Sequence, residues 1–466
     1  MSKDIAFSSI RTLRGMLSDG KLSSRELVEI FAARIDKYNS VSKAFITPTI
    51  KDALSSSISE LSRQEDGHVL RGIPYASKDL FDVKGVLTTA ASRVLHDRAA
   101  EVDSHCIAQL RAVGAVSLGK LNAHEFAYGA TGENENFGTC VNAYDQTRLA
   151  GGSSSGSAAA LTFGLAAFTL GTDTGGSVRA PAALNGLVGL KPTFGRISTT
   201  GVIPFCWSLD HVGIMTRTVS DCADVLGAIA GFDPLDPSSA NMPVDDYSSG
   251  LKTDITGLRV GVPTRFFFER VDPEILLAVE QVKQHLVVLG AKVVPVDIPD
   301  MTHTRAVSLT VQMPEALSWH TPYLRDRGDL YGQDFRAGLA LGQCILAEQY
   351  VRAKRFMEQY RQATNTIFED VDVILTPGAP EIAPKIGVAE LHRDGVHEAA
   401  GNAITRFTSF FNMTGHPALT MPSGIHSEGL PMSIQLIGRY FDEKTVIQTA
   451  HAIERNEAFN VQPADV

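Results

Sequence analysis

"LAGGSSSGSAAALTFGLAAFTLGTDTGGSVRAP", residues 149–181, decides how this chain is read. It joins a Gly/Ser loop to a run of small residues from about 155, then the short apolar stretch "LAAFTL", then a second glycine turn that ends in Ser177, Val178 and Arg179. The small-residue run reads as a helix and the apolar stretch as a buried strand. Successive N–H groups in a glycine turn that opens a helix converge on an anion, so Thr174, Gly175, Gly176 and Ser177 form a candidate oxyanion hole. A flexible linker is the bland alternative, and alternation with buried apolar runs speaks against it.

The flanks extend the same grammar. "RGIPYASKDLFDV" from residue 71 reads as a buried strand, "SHCIAQLRAVG" as a helix and "AVSLGKL" as the next strand, which implies β-α-β units. A second alternation runs through "LRVGVP", the helix "PEILLAVEQVKQHLVVLG" and the strand "AKVVPVDI". Before the first unit, Ser23 and Glu26 form a capping-box pattern ahead of Leu27, Phe31 and Ile35, an amphipathic helix. Residues 231–250, rich in Pro, Ser and Asp, read as a surface loop. A long helix is expected near 340–369, then a strand at "VDVILTP" and a last strand at "MSIQLIG".

Composition removes several function classes. A net charge of -10 over 466 residues, with no Lys/Arg cluster, argues against a nucleic-acid surface and against an anionic membrane. The polar N-terminus lacks a signal-peptide core, and no run of about 20 apolar residues occurs, so a cytoplasmic protein is expected. The 5 cysteines are scattered without C-x-x-C spacing, which reads as reduced thiols and gives no metal site.

Three familiar motifs nearly match. "GAVSLGKL" has P-loop spacing, but Leu121 stands where a magnesium-binding hydroxyl is required. "HEFAY" opens like a zinc protease helix, but Tyr128 replaces the second imidazole. Gly152 to Gly156 satisfies G-x-S-x-G with Ser154 as nucleophile, yet the preceding "NAYDQTRLA" is polar where a nucleophile elbow needs a buried strand.

A serine nucleophile at 177 needs a base, and no histidine lies near it in sequence. Lys78 sits inside the apolar "IPYASKDLF", where burial lowers an ammonium's pKa and leaves an amine able to accept a proton. The alternative is a strand-end lysine that snorkels to solvent.

A lysine in a strand, then "GGSSSGSAAA", then "GTDTGGSVRAP", in this order and separation, resembles the amidase signature family. "GLVGLKPTFGRIS", "SLDHVG", "DVDVILTP" and "GLPMSIQLIGRYFDE" agree with it, so the resemblance spans about residues 20–455 and is weakest near 240–340. It implies an α/β fold: a single large domain with a mixed β-sheet core covered by helices on both faces. Within it, 1–65 would be a helical N-terminal flank, 66–240 the catalytic core, 241–400 a variable substrate-shaping region and 401–466 a return to the core.

By motif position, Ser177 resembles the family's acyl-forming nucleophile, Ser153 the serine that follows a cis peptide bond, and Lys78 the terminal base. Ser154 resembles a position that orders the catalytic serines. Asp173 and Arg179 read as a structural ion pair holding the turn. Tyr128, Asn136, Gly152 and Trp207 are candidate substrate contacts, with core packing the alternative for Trp207; His211 reads as a structural histidine.

The resemblance implies an amidase that needs no cofactor, acts on a small-molecule amide or ureide, and forms a homodimer. "PFCWSLDHVG" is similar to a segment of biuret-type hydrolases. The rival is the glutaminase component of a glutamyl-tRNA amidotransferase, its A subunit. That component carries basic residues before an "LG" where this chain reads "DFRAGLALG". Ala337 and Gly338 cannot hold a carboxylate, which leaves Arg336 and disfavours glutamine.

Overall fold

The computed structural model describes residues 2–60, 67–249 and 251–464. Thirteen strands are present among them: β1 (Phe45–Pro48), β2 (Pro74–Lys78), β3 (Val116–Leu121), β4 (Phe168–Asp173), β5 (Val188–Lys191), β6 (His211–Thr216), β7 (Arg259–Pro263), β8 (Lys292–Val296), β9 (Val373–Pro377), β10 (Glu390–Arg393), β11 (Val396–Ala399), β12 (Ala418–Ile425) and β13 (Pro431–Gly438). Eleven form one sheet in the order β1-β3-β2-β4-β6-β5-β12-β13-β9-β7-β8, and β10 and β11 make a separate hairpin.

The sheet is mixed. The β3-β2-β4 and β9-β7-β8 trios are parallel, as the two expected β-α-β alternations require, and the pairs between them are antiparallel. Alternate residues serve opposite faces. On β9, Val373 and Leu375 enter one hydrophobic core while Ile374 enters the other; on β12, Leu419 and Met421 part from Ala418 in the same way. Helices Ser24–Ser42, Val219–Ile229 and Glu443–Glu454 supply the first core, and Thr304–Arg327, Gln333–Gln343 and Ala347–Asp370 the second. Helices therefore cover both faces of a sheet whose central strands are buried throughout.

Local expectations meet the structure closely, with two corrections. The capping box is formed: Ser23 Oγ accepts from the Glu26 N–H and the Glu26 carboxylate accepts from the Ser23 N–H at 2.8 Å. The N-terminal flank is not wholly helical, because β1 pairs with β3 and closes one sheet edge; its expected boundary at 65/66 lies outside the described residues. The long helix expected near 340–369 is two helices, Gln333–Gln343 and Ala347–Asp370, interrupted at Cys344–Leu346.

One topological feature positions the site. β2 and β4 are adjacent and parallel, with Ser77 opposite Leu170, so Lys78 and the pair Thr172–Asp173 arrive together at the carboxyl ends of neighbouring strands. That edge of an α/β sheet is where loops gather into a cleft.

Candidate active site

Lys78 ends β2 with its side chain fully buried, and its Nζ donates to Ser153 Oγ at 2.7 Å and to Thr172 Oγ1 at 2.8 Å. Among the described residues no carboxylate touches the amine. Burial pulls its pKa down from 10.5 to about 7, against the more distant charges of Asp210 and Asp173, which act upward. The snorkelling alternative is thereby excluded.

Ser153 is also fully buried and follows a cis Gly152–Ser153 peptide bond. Its neighbour Ser154 donates its N–H to the Ser177 carbonyl at 3.2 Å, which joins the two serine loops directly. Ser154 Oγ is turned away, donating to the Thr172 carbonyl at 3.2 Å from a fully buried position. It cannot be the exposed nucleophile of an elbow. Ser177 lines a cavity, and its Oγ has no hydrogen-bond partner among the described residues.

The glycine turn is wound around one carboxylate. Asp173 Oδ1 accepts from the Gly176 N–H at 2.8 Å, and Oδ2 from the N–H groups of Val178 and Arg179 at 3.2 and 3.3 Å. Arg179 clamps the same carboxylate through Nε at 3.0 Å and Nη2 at 2.9 Å, both partners being fully buried. Burial acts to raise the Asp173 carboxyl, but the Arg179 charge and hydrogen bonds win and hold it well below the usual carboxylate range. The expected oxyanion hole is corrected here: Gly176 is committed to Asp173, whereas the N–H groups of Gly175 and Ser177 find no acceptor among the described residues.

Several supports had no sequence signal. Asn412 donates to the Asp173 carbonyl and to Asp173 Oδ1, each at 2.8 Å, and accepts from Arg179 Nη2 at 2.6 Å. Gln435 accepts from Arg179 Nη1 at 2.8 Å. Asp210 accepts from Thr174 Oγ1 at 2.6 Å and from the N–H groups of Phe205 and Cys206. Burial outweighs those bonds and pushes the Asp210 carboxyl up to about 6. His211 Nδ1 faces the carbonyls of Leu209 at 2.6 Å and Asp173 at 3.2 Å.

The cavity that holds Ser177 has a volume of about 420 Å³. Tyr128, Thr174 and Gly175 line it; Arg305, Leu309 and Gln312 enter from the helix Thr304–Arg327, and Asn402 and Ser409 from the C-terminal return. Three expected contacts are not on its wall. Trp207, 50% exposed, lines a neighbouring cleft with Leu235 and Pro237. Asn136 lines an adjoining pocket with its amide directed at Glu125 Oε1, 3.3 Å away. Gly152 is buried behind the loop, where a Cβ would meet the Gly132 N at 2.6 Å.

The "DFRAGLALG" segment forms most of the helix Gln333–Gln343. Arg336 is half exposed, faces Asp329 at 3.8 Å and is not among the residues that line the cavity. Gly338 has to be small, because a Cβ there would stand 2.8 Å from the Tyr128 ring. Outside the cavity, Glu390, His392 and His397 on the exposed β10–β11 hairpin bring potential metal-ligand atoms within 4.8 Å of one another. Four of the five cysteines are buried and all are free thiols. Among the described residues no helix is long and apolar enough to cross a membrane.

Known proteins share both the sequence and the shape. Residues 26–447 match the Amidase family. In Geobacter metallireducens, the A subunit of the glutamyl-tRNA(Gln) amidotransferase is 37% identical over 98% of this chain and 99% of its own. The structure reported as revealing the evolutionary origins of an s-triazine catabolic enzyme superposes with a TM-score of 0.93 at 33% identity, covering 98% of this chain and all of that one. The 6-aminohexanoate cyclic dimer hydrolase with its substrate superposes with a TM-score of 0.89 at 26% identity, over 99% of both chains. A buried lysine bonded to one serine loop, a second serine opening on a cavity and a matching frame along nearly the whole chain agree: this protein belongs to the amidase family and is a hydrolase of carbon–nitrogen bonds other than peptide bonds.

Proposed function

We propose that the protein hydrolyses the amide bond of a small molecule by acyl transfer through Ser177, Ser153 and Lys78. The observation that carries this reading is the 2.7 Å contact between a fully buried Lys78 amine and Ser153 Oγ, in a loop bonded to Ser177. With the amine uncharged, that contact runs in reverse, and the Ser153 hydroxyl donates into the nitrogen lone pair. Ser177 Oγ then attacks the amide carbonyl carbon as its proton passes to Ser153, whose own proton passes to Lys78. The N–H groups of Gly175 and Ser177 receive the oxyanion, each donor being worth about 3 kcal/mol in such sites. Collapse breaks the C–N bond while Ser153 returns a proton to the leaving nitrogen, and water hydrolyses the acyl-enzyme by the same path.

Asp173, Arg179 and Ser154 act in this scheme as positioning residues, and Tyr128 as a substrate contact. Residues 241–400 supply part of the wall that shapes the pocket, through Arg305, Leu309, Gln312 and Asp334. A stand-alone cytoplasmic homodimer acting on an amide or a ureide such as biuret is the form we propose. The rival reading, a glutaminase component of a larger complex, is favoured by the 37% identity to the amidotransferase relative. Ammonia release from a panel of amides, ureides and glutamine, by the purified chain alone and after Ser177→Ala, tests the proposal. Release by the chain alone that stops in the variant supports it; release from glutamine only when a co-purifying partner is present overturns the stand-alone form.

A further inference from the structure

The outer face of the β10–β11 hairpin carries side chains that the proposed amide chemistry does not use. Its register is fixed by Asp394 and Gly395, whose positive φ values of 52° and 75° suit a two-residue turn. That turn pairs Arg393 with Val396, His392 with His397 and Glu390 with Ala399. Because strand side chains alternate, Glu390 and His392 share one face, with His397 directly across from His392.

The two faces differ in their partners. On the inner one, Arg393 reaches Asp272 at 2.9 Å and Glu381 at 2.8 Å, while Glu398 is held by Arg406 at 3.2 Å and Arg270 at 3.5 Å, so ion pairs fasten the hairpin to the body. On the outer one, Glu390, His392 and His397 are all exposed. The two imidazole rings stand 3.7 Å apart between centroids, and Glu390 Oε2 is 3.5 Å from His397 Nδ1. Beyond that loose contact, neither ring has a hydrogen-bond partner among the described residues, and no Lys or Arg among them pairs with Glu390.

Two imidazoles and a carboxylate are a ligand set for a transition-metal dication such as zinc. Their ligand atoms lie within 4.8 Å of one another, so triangle geometry (4.8 Å divided by √3) puts each within about 2.8 Å of a common point, against about 2.1 Å for a zinc bond. Rotation of exposed side chains on an anchored backbone closes that gap. We infer that Glu390, His392 and His397 bind one zinc-class divalent cation, with the fourth tetrahedral position left to solvent. Calcium and magnesium are disfavoured, since they take oxygen ligands. The ligands span both strands, so the cation staples β10 to β11 in a hairpin whose final residue, Ala399, lines the Ser177 cavity. The site stands independently of the amidase reading.

The test uses the full chain, stripped with EDTA and carrying no polyhistidine tag. Calorimetry with Zn2+ near neutral pH should give one equivalent with a Kd of about 10 µM or tighter. Co2+ should bind with the same stoichiometry and the visible absorption of a tetrahedral site, and saturating Zn2+ should raise the melting temperature. His392→Ala and His397→Ala should each weaken Zn2+ by about tenfold or more, while leaving the melting temperature of the metal-free protein unchanged. No Zn2+ equivalent in the wild-type protein, or one of undiminished affinity when both histidines are replaced, overturns the site. Displacement of Zn2+ by millimolar Mg2+ overturns the cation class.

Discussion

Lys78 Nζ lies 2.7 Å from Ser153 Oγ, and neither side chain reaches solvent. An ammonium in that position would have lost its hydration without gaining a carboxylate, so the neutral amine is favoured and a base is available near neutral pH. The whole reaction scheme depends on that displacement of charge.

The pH–rate profile should follow the amine. Because the Lys78 pKa is lowered to about 7, kcat/KM should rise tenfold per pH unit below that value and level above it. Stability carries the same signature: between about 7 and 10.5 the unfolded chain binds the lysine proton and the folded chain does not, so the fold gains stability as pH rises through that window. Lys78→Met should lose turnover, and the wild-type protein should gain on it in urea midpoints measured from pH 7 to 10. A Lys78→Met variant with normal turnover would end the proton path.

Nucleophile and support serines separate by labelling. A serine-directed phosphonate should modify Ser177, detected by peptide mass spectrometry, and Ser177→Ala and Ser153→Ala should each lower kcat at least 10³-fold with little change in melting temperature. Ser154→Ala removes only a buried hydrogen bond to Thr172 and should cost about 1 kcal/mol of stability. Phosphonate found on Ser154 would reinstate the nucleophile-elbow reading.

Asp173 should govern stability before chemistry. Removing one partner of its buried pair, as in Arg179→Met, leaves an uncompensated charge in contact with Asn412 and three backbone N–H groups. The expected loss is about 3–5 kcal/mol in chemical denaturation. A loss below about 1 kcal/mol would show that the turn holds itself.

Asp210 should tune the lysine. Its charge acts to raise the Lys78 pKa, so Asp210→Asn, whose oxygen still accepts from the Phe205 and Cys206 N–H groups while its NH2 group donates to Thr174 Oγ1, should move the acid limb of the rate profile to lower pH. An unmoved limb would mean that the limb does not report Lys78.

Legibility followed sequence distance. The βα alternation, the Ser23 capping box and the glycine turn were readable because each rests on contacts among residues within one or two turns of chain. Lys78 was readable as an anomaly, a charge within an apolar strand. Asp210, Asn412 and Gln435 were not, since an acid or amide far along the chain gives no sign of which carboxylate or arginine it will meet. Trp207 and Asn136 misled for the converse reason: residues near a motif in sequence were assigned to its pocket, and the loops carry them into adjoining clefts.

What the sequence determined alone was the set of proposed reacting groups and the strands and turns that carry them, because those depend on local periodicity and on residue chemistry. Tertiary structure decided which N–H groups stay free for an oxyanion, how far the amine is desolvated, and that Arg305 rather than Arg336 lines the cavity. Desolvation, cavity shape and charge pairing are properties of groups brought together from distant parts of the chain, and only folding brings them together.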